Sequence, residues 1–323
     1  MAYVRATREA GGGYRVQRFG VERQGDDSPQ AFAGRLAALG LRGRAARAML
    51  RPEQYQMLQI EAPAVAPDEL RTAARYQIRD MVDMHLDDLT LDVIRVGDER
   101  VRATGHLFVV AASNALIREV MGVGQSLRRG VAVIDIQEMA QRNLQSAWVR
   151  RNGTLERAHA ALVVTDDRQA LLTISAYEEL FYTRRIDLGE DFLGGPWGGG
   201  ESSAQTFGDE PAPSAAAGGD AQEPELGVHL GDADRRQRVV VEIQRSLDLW
   251  DRTWPMLTLD QFGVYAGERT GDLARWLGQE LGQAVTSLDL GGMFPGFEGG
   301  TEEDRRQCWP LLGVLLRTEG RRL

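Results

Sequence analysis

The chain has 323 residues, 43% hydrophobic and 26% charged, with a net charge of −9, a sequence pI near 5.2 and one cysteine. That length suits two domains with ordinary folded cores, and the acidic balance argues against general binding to nucleic acid or anionic lipid. All cationic side chains are arginine or histidine, because lysine is absent, which excludes a Walker A phosphate loop and Schiff-base chemistry. Cys308, in the apolar run Cys-Trp-Pro-Leu-Leu, has no internal disulfide partner and is expected to be a packed thiol in a reducing compartment. The first residues lack a signal-peptide core, and no stretch approaches the roughly 18 apolar residues of a spanning helix. A cytoplasmic protein that reaches the membrane only through a partner is expected.

Residues 2–7 and 14–19 read as strands joined by Gly-Gly-Gly at 11–13, a hairpin. Ser28-Pro29 predicts a helix start, with Ser as cap and Pro in the first helical position, and Gly40 predicts its end. Strands follow at about 45–50 and 56–61. Leu70, Ala74, Ile78, Met81 and Val82 make one helical stripe, and beyond Leu86 the period drops to two through Leu89, Leu91 and Val93. A strand at 107–112, a Ser113-capped helix, a strand at 131–136 and a helix over 137–147 predict a parallel or mixed sheet covered by helices. The second half opens with strands near 159–165, 169–175 and 179–187. Residues 195–231 are Gly, Ala, Ser, Pro and acid, and read as a flexible insertion. A helix at 234–252, a strand at 261–266, a helix at 272–281, a strand at 284–288 and a helix around 304–317 complete the chain. Both halves thus begin with antiparallel strands and continue with alternating helices and strands, without a sequence repeat.

Asp80, Asp83, His85, Asp87 and Asp88 are of types that suit a divalent cation. Asp80 and Asp83, three apart on a helix, could face one way, yet Met81, Val82 and Leu86 claim the buried side and leave the acids in solvent. With no recognised ligand spacing, the cluster reads as structural, no metal is expected, and His85 is expected to meet a helix C-terminal dipole. Gly122-Val-Gly124 lies within a helix and does not follow a strand, so it is no dinucleotide fingerprint. No hydrolase or zinc motif occurs, and four scattered histidines (85, 106, 159, 229) form no base–nucleophile pair. No catalytic residue is assigned.

Three ordered stretches resemble the PilM/MshI family, actin-like cytoplasmic proteins of type IV pilus assembly, MshI serving the mannose-sensitive haemagglutinin pilus. They are Arg51–Pro63 with Glu69–Asp80; Val109–Ser113 with Ala132–Ile136 and Ala140–Leu144; and Tyr182–Gly189 with Glu242–Asp248. The resemblance implies an α/β, actin-like (ribonuclease H-like) fold of two domains. The first would span 1–150 with a small inserted α+β subdomain near 50–95, and the second 151–323 with the insertion 195–231. It implies a scaffold for the cytoplasmic tail of an inner-membrane protein (PilN or MshJ), linked to an assembly ATPase.

The chain departs from the family at the nucleotide. It begins at what looks like the second strand, without the opening Asp-x-Gly. Any bound ATP and Mg would fall to Thr165, Asp166, Asp167, Gly267, Arg269 and Gly271. Thr165-Asp-Asp-Arg-Gln-Ala170 has no glycine to let backbone amides approach a phosphate, and its two acids would repel one. A two-residue turn is the plain alternative for Asp166 and Asp167. A degenerate cleft is therefore expected, with no cofactor. Asp80, Asp83, Asp87 and Asp88 would suit a basic tail on charge alone. Two alternatives stand beside this scaffold: an ATP-binding actin-like ATPase, and the cytoplasmic domain of a type II secretion platform protein. The latter family usually continues into a spanning helix, and this chain ends at Arg-Arg-Leu323.

Overall fold

The chain opens with β1 (Ala2–Arg8) and β2 (Tyr14–Val21), paired antiparallel around a turn in which Gly12 is left-handed. α1 (Pro29–Ala38) starts where Ser28 Oγ accepts from Ala31 N and ends at Gly40, left-handed at φ +77°. The structure, a computed structural model, describes residues 1–10, 12–43, 46–97, 105–128, 130–166, 168–194 and 232–318. The expected insertion at 195–231 lies outside the described residues.

After β3 (Ala46–Met49) the chain leaves the main body. β4 (Gln56–Glu61), α2 (Leu70–Gln77), β5 (Leu89–Arg95) and β6 (His106–Ser113) form an antiparallel sheet in the order β4-β6-β5. This unit has its own core of Ile60, Leu70, Ala74, Ile78, Leu91, Leu107 and Val109. Its middle strand comes from beyond the 50–95 range, because two flanking strands need a third to be stable.

The predicted helical stripe is too long by a turn. α2 stops at Gln77 with buried Ile78 as its cap, so Asp80 and Asp83 lie in turns, and Met81 is 48% exposed. Aspartate is a poor helix former whose carboxylate competes for local amides. His85 does not meet a helix end: its Nδ1 accepts from Asp87 N at 3.3 Å and opens a 3-10 turn at Leu86–Asp88.

α3 (Asn114–Ser126), capped by Ser113 Oγ, returns the chain to β7 (Val131–Asp135), which runs parallel to β3, and α4 (Gln137–Asn152) closes the first half. The second half runs β8 (Ala158–Val164), β9 (Gln169–Ala176), β10 (Glu179–Asp187), α5 (Asp232–Thr253), β11 (Leu259–Tyr265), α6 (Thr270–Leu281), β12 (Thr286–Ser287) and α7 (Glu302–Leu316). Its sheet order is β10-β9-β8-β11-β12, with β8 antiparallel to β9 and parallel to β11.

Every residue of β8 is buried, as a strand covered on both faces requires. Ala160, Leu162 and Val164 face a core shared with Ile243, Trp250, Leu273 and Leu277. Ala161 and Val163 face Leu144, Trp148, Leu288 and Trp309 on the other side. The predicted strand at 284–288 shrinks to two residues, an edge that pairs only with Gly263 and Val264.

α4 packs on β8, β9 and β10, and α7 packs on β1, β2 and β3. The two helices cross at Gly313, where a Cβ would overlap the Ala140 carbonyl, and Asn143 Nδ2 donates to Gly313 O at 3.0 Å. Arg47 donates to the carbonyls of Val314, Leu315 and Arg317, and Arg317 pairs with buried Asp135 at 2.7 Å. These bonds satisfy the orphan carbonyls of the α7 terminus. Burial holds the Asp135 carboxyl above its usual range, against the pull of Arg317.

Candidate functional site

β8 and β11 are parallel neighbours, so Thr165–Asp166 and Gly267–Gly271 emerge at the same end of the sheet. That is where ligands bind in open α/β sheets. The turn after β8 is closed on itself. Asp166 Oδ1 accepts from Arg168 N at 2.8 Å and Gln169 N at 2.9 Å, so its own carboxylate consumes the amides that a phosphate would need. Asp166 is exposed, Thr165 is half-buried, and Asp167 lies outside the described residues.

The loop after β11 does have a close-approach glycine. Gly267 is left-handed at φ +58°, and a Cβ there would overlap Glu302 Oε1. Glu302, in the first turn of α7, occupies that approach and accepts from Glu268 N at 2.7 Å. Arg305 binds Glu268 at 2.7 Å and Glu302 at 3.0 Å. Arg269 pairs with Asp272 at 3.4 Å, and Gly271 is exposed with open space around it.

Beside this loop lies a cavity of about 550 Å³ between the ends of β11 and β12 and the start of α7. Tyr265, Phe294, Phe297 and Trp309 form aromatic walls, and Tyr265 stacks on Trp309 at 4.3 Å. Burial, helped by Glu302, holds the Tyr265 phenol well above its usual range. Glu268, Asp289, Glu298 and Glu302 also line the cavity, against the single cation Arg305. Of the five described residues among those proposed for nucleotide, Gly267 alone lines it.

Asp80, Asp83, Asp87 and Asp88 are all exposed, in turns beside the three-stranded sheet, and Asp87 lies 3.5 Å from Arg75. Among the described residues, no group of three or more His, Cys, Asp or Glu is arranged to hold a metal ion. No helix among them is long and apolar enough to cross a membrane. The Cys308 thiol is buried, donates to Gly20 O at 3.3 Å and Tyr3 O at 3.6 Å, and burial pushes its pKa up to about 11. This is the packed thiol expected of its apolar run.

Sequence reasoning missed a buried polar network where the halves meet. Arg185 donates to Glu138 at 2.9 Å and to Pro52 O at 2.8 Å, and stacks over Tyr55 at 4.9 Å. Tyr55 donates its hydroxyl proton to the other oxygen of Glu138, which is only 2% exposed. Nearby, Gln141 Nε2 meets Ala161 O, Leu171 O and Thr173 Oγ1, and Gln145 reaches His159 O. The i, i+4 spacing of Gln137, Gln141 and Gln145 was the available signal, since polar residues on a covered helix face need partners.

No protein-family model matches the chain, and no curated protein matches its sequence. Among solved structures, a chain of the PilM–PilN type IV pilus biogenesis complex aligns with TM-score 0.60 at 15% identity, over 97% of this chain and 92% of that one. A Bacteroides thetaiotaomicron protein of actin-like ATPase fold and unknown function gives 0.48 at 6% identity, over 98% and 92%. The cytoplasmic domain of EpsL, an inner-membrane component of the Vibrio cholerae type II secretion system, gives 0.37 at 14%, over 72% and 85%. With mixed sheets, covering helices and mutual coverage of nearly the whole length of the first of these, the chain has the actin-like α/β fold.

Proposed function

We propose that this protein is a non-catalytic scaffold of a type IV pilus assembly platform. It would hold the tail of a PilN-like inner-membrane protein at the cytoplasmic face and pass that contact to an assembly ATPase. The observation that carries this reading is the full-length likeness in fold to a chain of the PilM–PilN complex. An MSHA-type pilus is the narrower form of the same proposal. The exposed acids Asp80, Asp83, Asp87 and Asp88 supply a face for a basic tail.

A cleft without useful ATP affinity belongs to this proposal. The self-closed turn of Asp166 and the carboxylate of Glu302 against Gly267 support it, because both sites of amide approach are already occupied by acid. One observation favours the alternative of an ATP-binding protein: the cavity of about 550 Å³ at the Gly267 loop is large enough for a small ligand.

Calorimetric titration of a PilN-like cytoplasmic tail, with and without Mg·ATP, tests both. Binding that ignores nucleotide is the expected result. Binding only with Mg·ATP transfers the case to the ATP-binding reading, and no binding in either condition removes the scaffold proposal.

A further inference from the structure

Charge is divided unevenly along the chain. Residues 1–51 hold ten arginines against four acids, a net +6; with the whole chain at −9, the other 272 residues carry −15. The overall acidity that argues against anionic partners therefore hides a basic segment. Its acids are largely taken: Glu9 pairs with Arg15, and Glu22 and Asp27 pair with Arg35.

The fold brings the remaining arginines together. Arg5 and Arg18 stand directly opposite in β1 and β2, so two like charges share one face of the hairpin. The Arg5 guanidinium lies against Gly40, where a Cβ would overlap it, and its Nε is buried without a hydrogen-bond partner among the described residues. Three residues on, Gly43 N donates to Leu127 O at 3.0 Å, which sets exposed Arg42 beside exposed Arg128. Both turns lead into the starting ends of β3 and β7, where Ala46 stands opposite Val131. Arg8, before the hairpin turn, is exposed as well. Among the described residues, Arg5, Arg8, Arg18, Arg42 and Arg128 pair with no carboxylate. The carbonyl ends of α1 and α3 each draw one cation, which accounts for Arg42 and Arg128. They do not account for Arg5 against Arg18, nor for an arginine at φ +57° in Arg128, where glycine would cost less.

We propose that this arginine face docks on an anionic lipid surface, its guanidinium groups donating to headgroup phosphates. Two observations favour lipid over nucleic acid. The −15 carried by the other residues repels a polyanion that wraps the molecule, whereas a flat surface meets one end only. The aromatic side chains of the hairpin are also not free to stack on bases, because Tyr14 and Phe19 pack on the core that holds Trp309. The proposal uses charge and placement alone and does not rest on the pilus reading.

The test is co-sedimentation of the full chain with vesicles of equal parts phosphatidylglycerol and phosphatidylcholine, and with vesicles of phosphatidylcholine alone. Binding to the first only is expected, and its loss at about 1 M salt, where the Debye length is about 3 Å. Arg18→Gln with Arg42→Gln should weaken partition about 25-fold, roughly fivefold for each charge removed. Arg18→Lys with Arg42→Lys keeps the charge and should retain most of the binding, which a folding defect would not allow. Arg79→Gln with Arg252→Gln removes the same charge from exposed positions elsewhere and should change partition by less than about twofold. Equal weakening by the two glutamine pairs would mean that net charge alone decides, and overturns the proposal. So does the absence of binding to either vesicle. A duplex oligonucleotide that displaces the chain from the anionic vesicles at equal phosphate concentration would assign the face to nucleic acid instead.

Discussion

The two halves reach similar architectures by different means. The second is organised around β8, buried on both faces and hydrogen-bonded on both edges. The first has no such axis, and α7, a helix from the other half, holds its two strand pairs together. A sheet can therefore be kept in shape by side-chain bonds to a helix terminus, such as those of Arg47 and Arg317, where no backbone ladder joins its parts. Among the described residues no backbone ladder couples one strand pair of the first half to the other, so that coupling falls to α7.

The largest effect should come from Leu162→Ala. A fully buried leucine in the central strand costs about 3 kcal/mol to truncate, which lowers Tm by roughly 6–12 °C at about 2–4 °C per kcal/mol. Val4→Ala, in half-buried β1, should cost about 1 kcal/mol. Equal costs in thermal melts would erase the distinction between the halves.

Next comes Arg185→Met, which strands the buried Glu138 carboxylate without its cation and should cost about 3 kcal/mol. Because Arg185 belongs to the second half and Tyr55 and Glu138 to the first, a double-mutant cycle with Glu138→Gln measures how far the halves are coupled. A coupling of about 1 kcal/mol or more is expected, and additivity would show that they unfold independently.

Asp166→Ala removes the two hydrogen bonds that Arg168 N and Gln169 N donate to its carboxylate in an exposed turn, and should cost about 1 kcal/mol. Under the proposed function it leaves Mg·ATP affinity unchanged in calorimetry, there being none to lose. A measurable drop would identify that turn as a working nucleotide contact.

The smallest effect is a pH slope. Burial lowers the pKa of His159, in β8, below its usual 6.5, although the Thr154 carbonyl and Asp260 pull upward. Below pH 6.5 the unfolded chain takes up a proton that the folded chain resists. This contribution to stability is complete above that pH and is lost as pH falls through the depressed folded value. His159→Gln should flatten the fall in Tm on mild acidification, and an unchanged slope would assign it to other groups.

Strand and helix order was legible because periodicity and caps are local: Ser28 with Pro29, Ser113, and the alternation after Leu89 each mark an element on their own. The overreach at Met81 shows the limit of that signal, since an apolar stripe continues past the point where aspartates end the helix. Long-range pairs carry no such mark. Nothing near Gly267 announces that Glu302 will fill it, and the bond between Arg185 and Glu138 joins elements from opposite halves. In the candidate site the resemblance named residues in both loops, while the parallel pairing that brings the loops to one sheet end, and the carboxylates that fill them, needed coordinates.

The crossing of α4 and α7 has a mechanical meaning. With the Ala140 carbonyl lying where a side chain of residue 313 would have to be, the helices meet backbone to backbone. One hydrogen atom sets the spacing. Any side chain at position 313 would force α4 and α7 apart at that point, so the fit of the two halves there tolerates glycine alone.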